Sequence, residues 1–197
     1  LKIVSFGDEH TIDTQIPHYL AARLGLELEN HGKEDISNQK IFTDVCKYVC
    51  ENKTDDLILI GWTNAKRMDV EYDTYFTYRP DKTDYPVNKI NELHQSDAYL
   101  FNEKVIHGEW AAIACSLQET LKNMKRRFYM YNTQDYIKYN EKTARTVRLL
   151  DARYYHNPMN LDSSFTYWAD KHNFKGEQAH KSWARFLHNK INAVELL

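Results

Sequence analysis

Lys2-Ile3-Val4-Ser5-Phe6-Gly7-Asp8-Glu9-His10-Thr11 stands at the start of the chain. A short apolar run that breaks at a glycine into acidic and imidazole side chains predicts a first β-strand. Such a strand delivers reactive groups to the edge of a parallel sheet, where open α/β folds place their sites. Asp170-Lys171-His172, near the other end, offers the same kinds of side chain. Both ends of the chain are therefore expected to meet at one site, with Asp8, Glu9 and His10 on one side and Asp170 and His172 on the other.

Outward from this strand, helical and strand periods alternate. Residues 16–24 have helical spacing and stop at Gly25, and Leu26-Glu27-Leu28-Glu29-Asn30 alternates like a short second strand. Ser37 is placed to cap a helix whose apolar stripe is Ile41, Val45, Tyr48 and Val49. Asp56-Leu57-Ile58-Leu59-Ile60-Gly61-Trp62 reads as a buried central strand. A helix over 109–124, carrying Trp110, Ile113, Leu117 and Leu121 on one face, leads into Arg127-Phe128-Tyr129-Met130-Tyr131 as a fourth strand. The last helix spans 176–194, with Ala179, Trp183, Phe186, Leu187, Ile191 and Val194 at helical intervals. This order predicts a single three-layer α/β/α domain over residues 1–197 with a mostly parallel sheet.

Two stretches break the pattern. Residues 64–107 hold Tyr72, Tyr75, Phe76, Tyr78, Tyr85, Tyr99 and Phe101 among charges, with Pro80 and Pro86 as breakers. The segment is too long for an ordinary connection and is expected to be an elaborated insertion. Residues 151–169 include Tyr154, Tyr155, Tyr167 and Trp168 and are also expected to be irregular. Tyrosine provides contact area and a hydroxyl at modest entropic cost, so Tyr75, Tyr78 and Tyr155 are candidates for a surface that holds a glycan or another protein.

Composition narrows the classes. A formal charge of -2 gives no basic footprint for nucleic acid, and Lys125-Arg126-Arg127 reads as the cationic end of a helix. No apolar run approaches the length that spans a bilayer, and no signal peptide is recognisable, so the expectation is a protein made and kept in a cytoplasm. Cys46 and Cys50 share a helix face and Cys115 sits in another apolar stripe. All three read as reduced packing residues.

Gly7-Asp8-Glu9, Ile16-Pro17-His18-Tyr19-Leu20-Ala21, Ser37-Asn38-Gln39-Lys40-Ile41, Leu59-Ile60-Gly61-Trp62-Thr63, Asp170-Lys171-His172 and His180-Lys181-Ser182-Trp183-Ala184 occur in this order. Together they resemble the SGNH (GDSL) hydrolases, and more narrowly the versions encoded by tailed bacteriophages. The resemblance implies a flavodoxin-like fold and a site made of a serine nucleophile after Gly-Asp, a late Asp and His, and an oxyanion hole. The hole takes the serine N–H, a block-two glycine and a block-three asparagine. In this chain the serine position holds Glu9, and the glycine position falls near Asp35 or Ile36. The asparagine position is Thr63, with Asn64 one residue late, and Asp170 and His172 occupy the late pair.

A carboxylate is a poor nucleophile toward esters, and its charge repels a developing oxyanion. The leading expectation is therefore a degenerate hydrolase fold used for binding or assembly, as a phage structural or accessory protein in an infected cell or on the virion. Asp8, His10, Asn38, Thr63, Asn64, Tyr75, Tyr78 and Tyr155 are its binding residues, its partner is a glycan or a protein, and it needs no cofactor. The alternative is a changed hydrolase of an ester, glycan or phosphoester using Glu9, Asp170 and His172. A third reading gathers Asp8, Glu9, His10 and His172 around a divalent metal, although no compact ligand motif is present. The plain reading of several of these residues is structural: Asp8 as a backbone cap, and His180 and Trp183 as packing groups on the last helix.

Overall fold

The computed structural model describes residues 1–12, 15–65, 67–70, 76–78, 103–160 and 164–194. Four strands form one parallel sheet: β1 (Lys2–Gly7), β2 (Glu27–Asn30), β3 (Leu57–Trp62) and β6 (Arg127–Asn132), in the order β2-β1-β3-β6. Between them lie α1 (Ile16–Leu24), α2 (Asn38–Glu51) and α3 (Glu103–Asn123), and α4 (Phe165–Lys171) and α5 (Gly176–Ala193) follow. A two-stranded antiparallel hairpin, β4 (Met68–Val70) with β5 (Phe76–Tyr78), leaves the main sheet after β3.

Side chains alternate across the sheet with the period of two that a pleated strand imposes. Val4, Phe6, Ile58, Ile60, Trp62, Phe128 and Met130 face one core with α2 and α3. Ile3, Leu57, Leu59, Tyr129 and Tyr131 face the other, with α1, α4 and α5. The layers are those expected from the alternation, and helices cover both sides of the sheet.

Local signals set several boundaries. Gly25 ends α1 in the left-handed conformation (φ 65°), returning its N–H to the Ala21 carbonyl. Ser37 caps α2 by accepting from the Lys40 N–H at 3.0 Å, and the buried stripe of that helix is Ile41, Val45, Tyr48 and Val49. The cysteines are free, with Cys115 buried in α3, Cys46 half-buried and Cys50 exposed. No helix among the described residues is long and apolar enough to cross a membrane.

Three expectations need correction. Helix α3 begins at Glu103, inside the stretch expected to be irregular. A short helix, α4, occupies Phe165–Lys171, where no regular structure is expected. It has seven residues and no side-chain cap, too short to hold itself in water. Its start is instead docked on the sheet, with the Thr166 N–H donating to the Thr133 carbonyl at 2.9 Å. Most of residues 64–107 lie outside the described residues, Tyr75 among them.

Tyr155 is the third correction. It lies 0% exposed rather than on a surface. Residues 154–156 run alongside the outer edge of β6: the Met130 N–H donates to the Tyr154 carbonyl at 2.7 Å, and the His156 N–H to the Met130 carbonyl at 2.9 Å. This covers the edge strand and turns the Tyr155 ring into the core with Trp110 and Met130. Its hydroxyl donates to Asn132 Oδ1 at 2.6 Å. Tyr155→Ala is expected to cost about 3–5 kcal/mol of stability, as other large-to-small core changes do. Tyr167→Ala, at an exposed ring on α4, is expected to stay within about 0.5 kcal/mol of wild type. Urea unfolding of the two variants measures both.

Candidate functional site

The site forms where β1, β3 and β6 end side by side. Gly7 pairs with Gly61 in the parallel register, and Gly61 with Tyr131. Gly7 has φ 148°, and a Cβ there would lie 2.5 Å from the Gly61 carbonyl and 2.6 Å from the Thr11 methyl. A Cβ on Gly61 would lie 2.5 Å from that same methyl. Only glycines admit the buried Thr11 here. The chain after Gly7 then tightens into one turn of 3-10 helix over Glu9–Thr11, with the Thr11 N–H and hydroxyl both donating to the Asp8 carbonyl, at 2.8 and 2.6 Å.

That turn points Asp8 into the protein and Glu9 along its rim. Asp8 is 0% exposed and caps the turn by accepting from the His10 N–H at 3.0 Å. Its other oxygen, Oδ2, is met by Thr133 Oγ1 at 2.5 Å and by Gln134 Nε2 at 3.1 Å. Glu9 takes both arms of the Arg67 guanidinium, at 2.8 and 2.7 Å, and also Gln134 Nε2 at 2.6 Å. Arg67 Nη2 reaches Gln134 Oε1 at 3.2 Å, closing the ring of contacts. The Arg67 side chain is 1% exposed and that of Glu9 28%.

The two neighbouring carboxyls are driven apart. Burial, and then the charge of Glu9, raise Asp8 to about 7 against the opposing pull of Thr133, Arg67 and the His10 N–H. Burial acts on Glu9 in the same direction, but the Arg67 bonds and charge, a backbone N–H and His10 outweigh it and hold Glu9 at about 2. Burial lowers His10, with Glu9 opposing and Arg67 assisting.

The late pair does not join this cluster. Asp170 is the sixth residue of α4 and His172 its C-cap, so about 7.5 Å of helix rise separates Asp170 from the first residue of the helix. Both are exposed, and the His172 ring lies against Trp168 and Phe174 at 5.0 and 6.1 Å, not against Glu9. The imidazole that does approach is His180, whose ring is 5.8 Å from that of His10; Phe165 closes the triangle at 4.9 Å from each, stacked on His180 and edge-on to His10. Burial, then His10, lower His180 to about 4. Without His172 the proposed metal set loses a ligand, and no group of three or more metal-ligating side chains occurs among the described residues.

Of the positions that the resemblance gives to the oxyanion hole, Thr63 is tied through its backbone to Asn38. The Thr63 N–H donates to Asn38 Oδ1 at 2.9 Å, and Asn38 Nδ2 returns a bond to the Thr63 carbonyl at 3.3 Å. Asn38 and Thr63 thus tie α2 to the end of β3, both of them buried. The Asn64 carbonyl accepts from the Arg67 N–H at 3.1 Å and shapes the turn that presents Arg67. Asp35, near the glycine position, has φ 56°, a conformation that favours glycine. Tyr78 falls in β5, and its side chain lies outside the described residues.

Sequence reading missed Arg67, Thr133 and Gln134. Arg67 lies in the turn after β3, and Thr133-Gln134 directly follows the fourth parallel strand. The signal was position at a strand C-terminus.

Two outcomes test the site. Glu9→Ala removes the ionic partner of a buried guanidinium and is expected to cost about 3 kcal/mol, whereas adding Arg67→Met is expected to recover much of it. A double-mutant cycle from urea unfolding measures the coupling. His156, packed at 4.8 Å on Phe186, is lowered to about 4 by burial and then by Lys190. Its unfolded value is near 6.5, so its stabilisation is full above that pH and is lost as pH falls toward 4. The stability advantage of wild type over His156→Phe is expected to shrink across this window in thermal melts.

No protein-family model and no curated protein matches the chain. Among solved structures, TesA aligns over 100% of both chains at 11% identity with a TM-score of 0.51. An acetyl xylan esterase, AlAXEase, aligns over 98% of both at 12% identity and TM-score 0.47. A putative lipolytic protein of the G-D-S-L family from Desulfitobacterium hafniense DCB-2 aligns over 100% of this chain and 99% of its own at 10% identity and TM-score 0.45. The chain shares the α/β fold of TesA.

Proposed function

We propose that this SGNH-hydrolase fold has given up serine-esterase catalysis and acts by binding. One observation supports the reading: Glu9, the residue that the resemblance puts at the nucleophile position, is held in a two-pronged ion pair by Arg67. An esterase needs a neutral nucleophile activated by an adjacent base and donors aimed at the oxyanion. Here the nucleophile position carries an anion stabilised as an anion, with Arg67 and Gln134 spent on it. Asp170 and His172, exposed on the far end of α4, supply no base to it.

The partner is a glycan or another protein, held by the rim of the site and the neighbouring aromatic segments, where Tyr167 is exposed. In line with the resemblance to tailed-phage versions of the family, the role is that of an accessory or structural protein of a virion or infected cell. Purified protein is expected to show no covalent labelling by a fluorophosphonate and no appreciable hydrolysis of short acyl esters. Glu9→Ser alone is expected to recover little, because the glycine and asparagine positions of the oxyanion hole would still hold other residues. Rapid hydrolysis with labelling would overturn the reading.

A hydrolytic alternative keeps one supporting observation, the opposed environments of Asp8 and Glu9, which resemble those of an acid and base pair. Asp8 is fully buried beneath Gln134 and Thr133, out of reach of a substrate oxygen in this conformation. Turnover of a glycoside or phosphoester that disappears in both Asp8→Asn and Glu9→Gln would put this alternative in place of binding.

A further inference from the structure

Asp8 stands where the hydrogen-bond count fails if every acid in the site is ionised. Thr133 Oγ1 lies 2.5 Å from Asp8 Oδ2 and 2.8 Å from the Trp62 carbonyl oxygen. A hydroxyl has one proton, whereas a carboxylate and a carbonyl only accept. With Asp8 ionised, one of these two close contacts brings oxygens together with no proton between them. With Asp8 protonated, Oδ2–H donates to Thr133 Oγ1 and the Thr133 proton goes to Trp62. Oδ2 still has a lone pair for Gln134 Nε2 at 3.1 Å, and Oδ1 accepts the His10 N–H at 3.0 Å. Every contact then has a donor and an acceptor.

We propose that Asp8 carries a proton in the folded protein and donates it to Thr133, making the junction of β1, β3 and β6 a latch that proton loss weakens. The proposal does not depend on whether the site binds or hydrolyses. The groups facing Asp8 come from every element packed on it. Glu9 and His10 belong to its own turn, Arg67 comes from the turn after β3, Tyr131 from β6, and Thr133 and Gln134 follow that strand. Arg67 is already neutralised by Glu9. Ionising Asp8 adds a second negative charge beside Glu9 in a buried place, in keeping with its elevation to about 7 by burial and by Glu9.

The sign follows from linkage. An unfolded aspartate titrates near 3.9, so between roughly that pH and about 7 the folded chain holds one proton more than the unfolded one. The stabilisation from the latch is complete below the unfolded value and is lost as pH rises through the folded one, by about tenfold per pH unit in the folding equilibrium. No bond changes other than an O–H formed with a proton from solvent.

Asp8→Asn keeps the shape and a donor but does not titrate. Folding constants of wild type and Asp8→Asn are compared by urea unfolding from pH 4.5 to 8, where the titrations of His10, His156 and His180 are common to both chains and cancel. The ratio of wild type to variant is expected to fall by about tenfold per pH unit and level off near neutrality. A ratio that is flat or rises with pH overturns the proposal. If the variant does not fold, wild type labelled with carboxyl-13C aspartate gives the answer by NMR. An Asp8 resonance, assigned through its own backbone amide, is expected to titrate above pH 6, and a midpoint below 5 overturns the proposal.

Discussion

Where β1 and β3 end, two glycines face each other across the sheet and the Thr11 methyl fills the space a Cβ would need at either. This close packing forces the chain to turn within three residues after Gly7. A 3-10 turn sends successive side chains in different directions, and here Asp8 goes inward and Glu9 along the rim. The positions of the acids follow from the turn, and the turn from the glycines. Their opposite electrostatic fates follow in turn from a difference of one residue. One carboxyl meets a hydroxyl and an amide in a dry place, and the other meets a guanidinium that is itself buried.

Arg67 and Glu9 depend on each other. A guanidinium 1% exposed has no water to solvate it, so its partner must be supplied by the protein. Gln134 completes the arrangement with both ends of its amide, donating to the two carboxyls and accepting from Arg67. The polar groups at this end of the sheet are thus aimed at one another.

The other edge of the sheet is handled by backbone pairing. Residues 154–156 bond along β6 without forming a named strand, and Tyr154 stacks on Phe128 with ring centroids 4.7 Å apart. An exposed parallel edge is an invitation to pair with another chain, and this segment closes it. A separate bond, from the Thr166 N–H to the Thr133 carbonyl, docks the start of α4 at the site, which is why Phe165 belongs to the cluster and His172, at the far end of the helix, does not.

Much of the fold was legible in the sequence because its signals are local. The continuous apolar runs in Leu57–Trp62 and in residues 127–131, the Ser37 cap and the Gly25 stop each act within a few residues. The place where Asp8 and Glu9 emerge was legible because a strand end fixes it. Helix α4 was not legible, since seven residues hold a helix only when docked. Nor was the burial of Tyr155, whose environment is a strand edge some 25 residues away in sequence. Arg67 and Gln134 are ordinary polar residues until the sheet brings three loops together, 58 and 125 residues from Glu9. The chain alone determined the layers and the edge on which the site sits. Tertiary structure decided which charges meet there, because an ion pair depends on distance in space and on the exclusion of water, and neither is written in the local pattern.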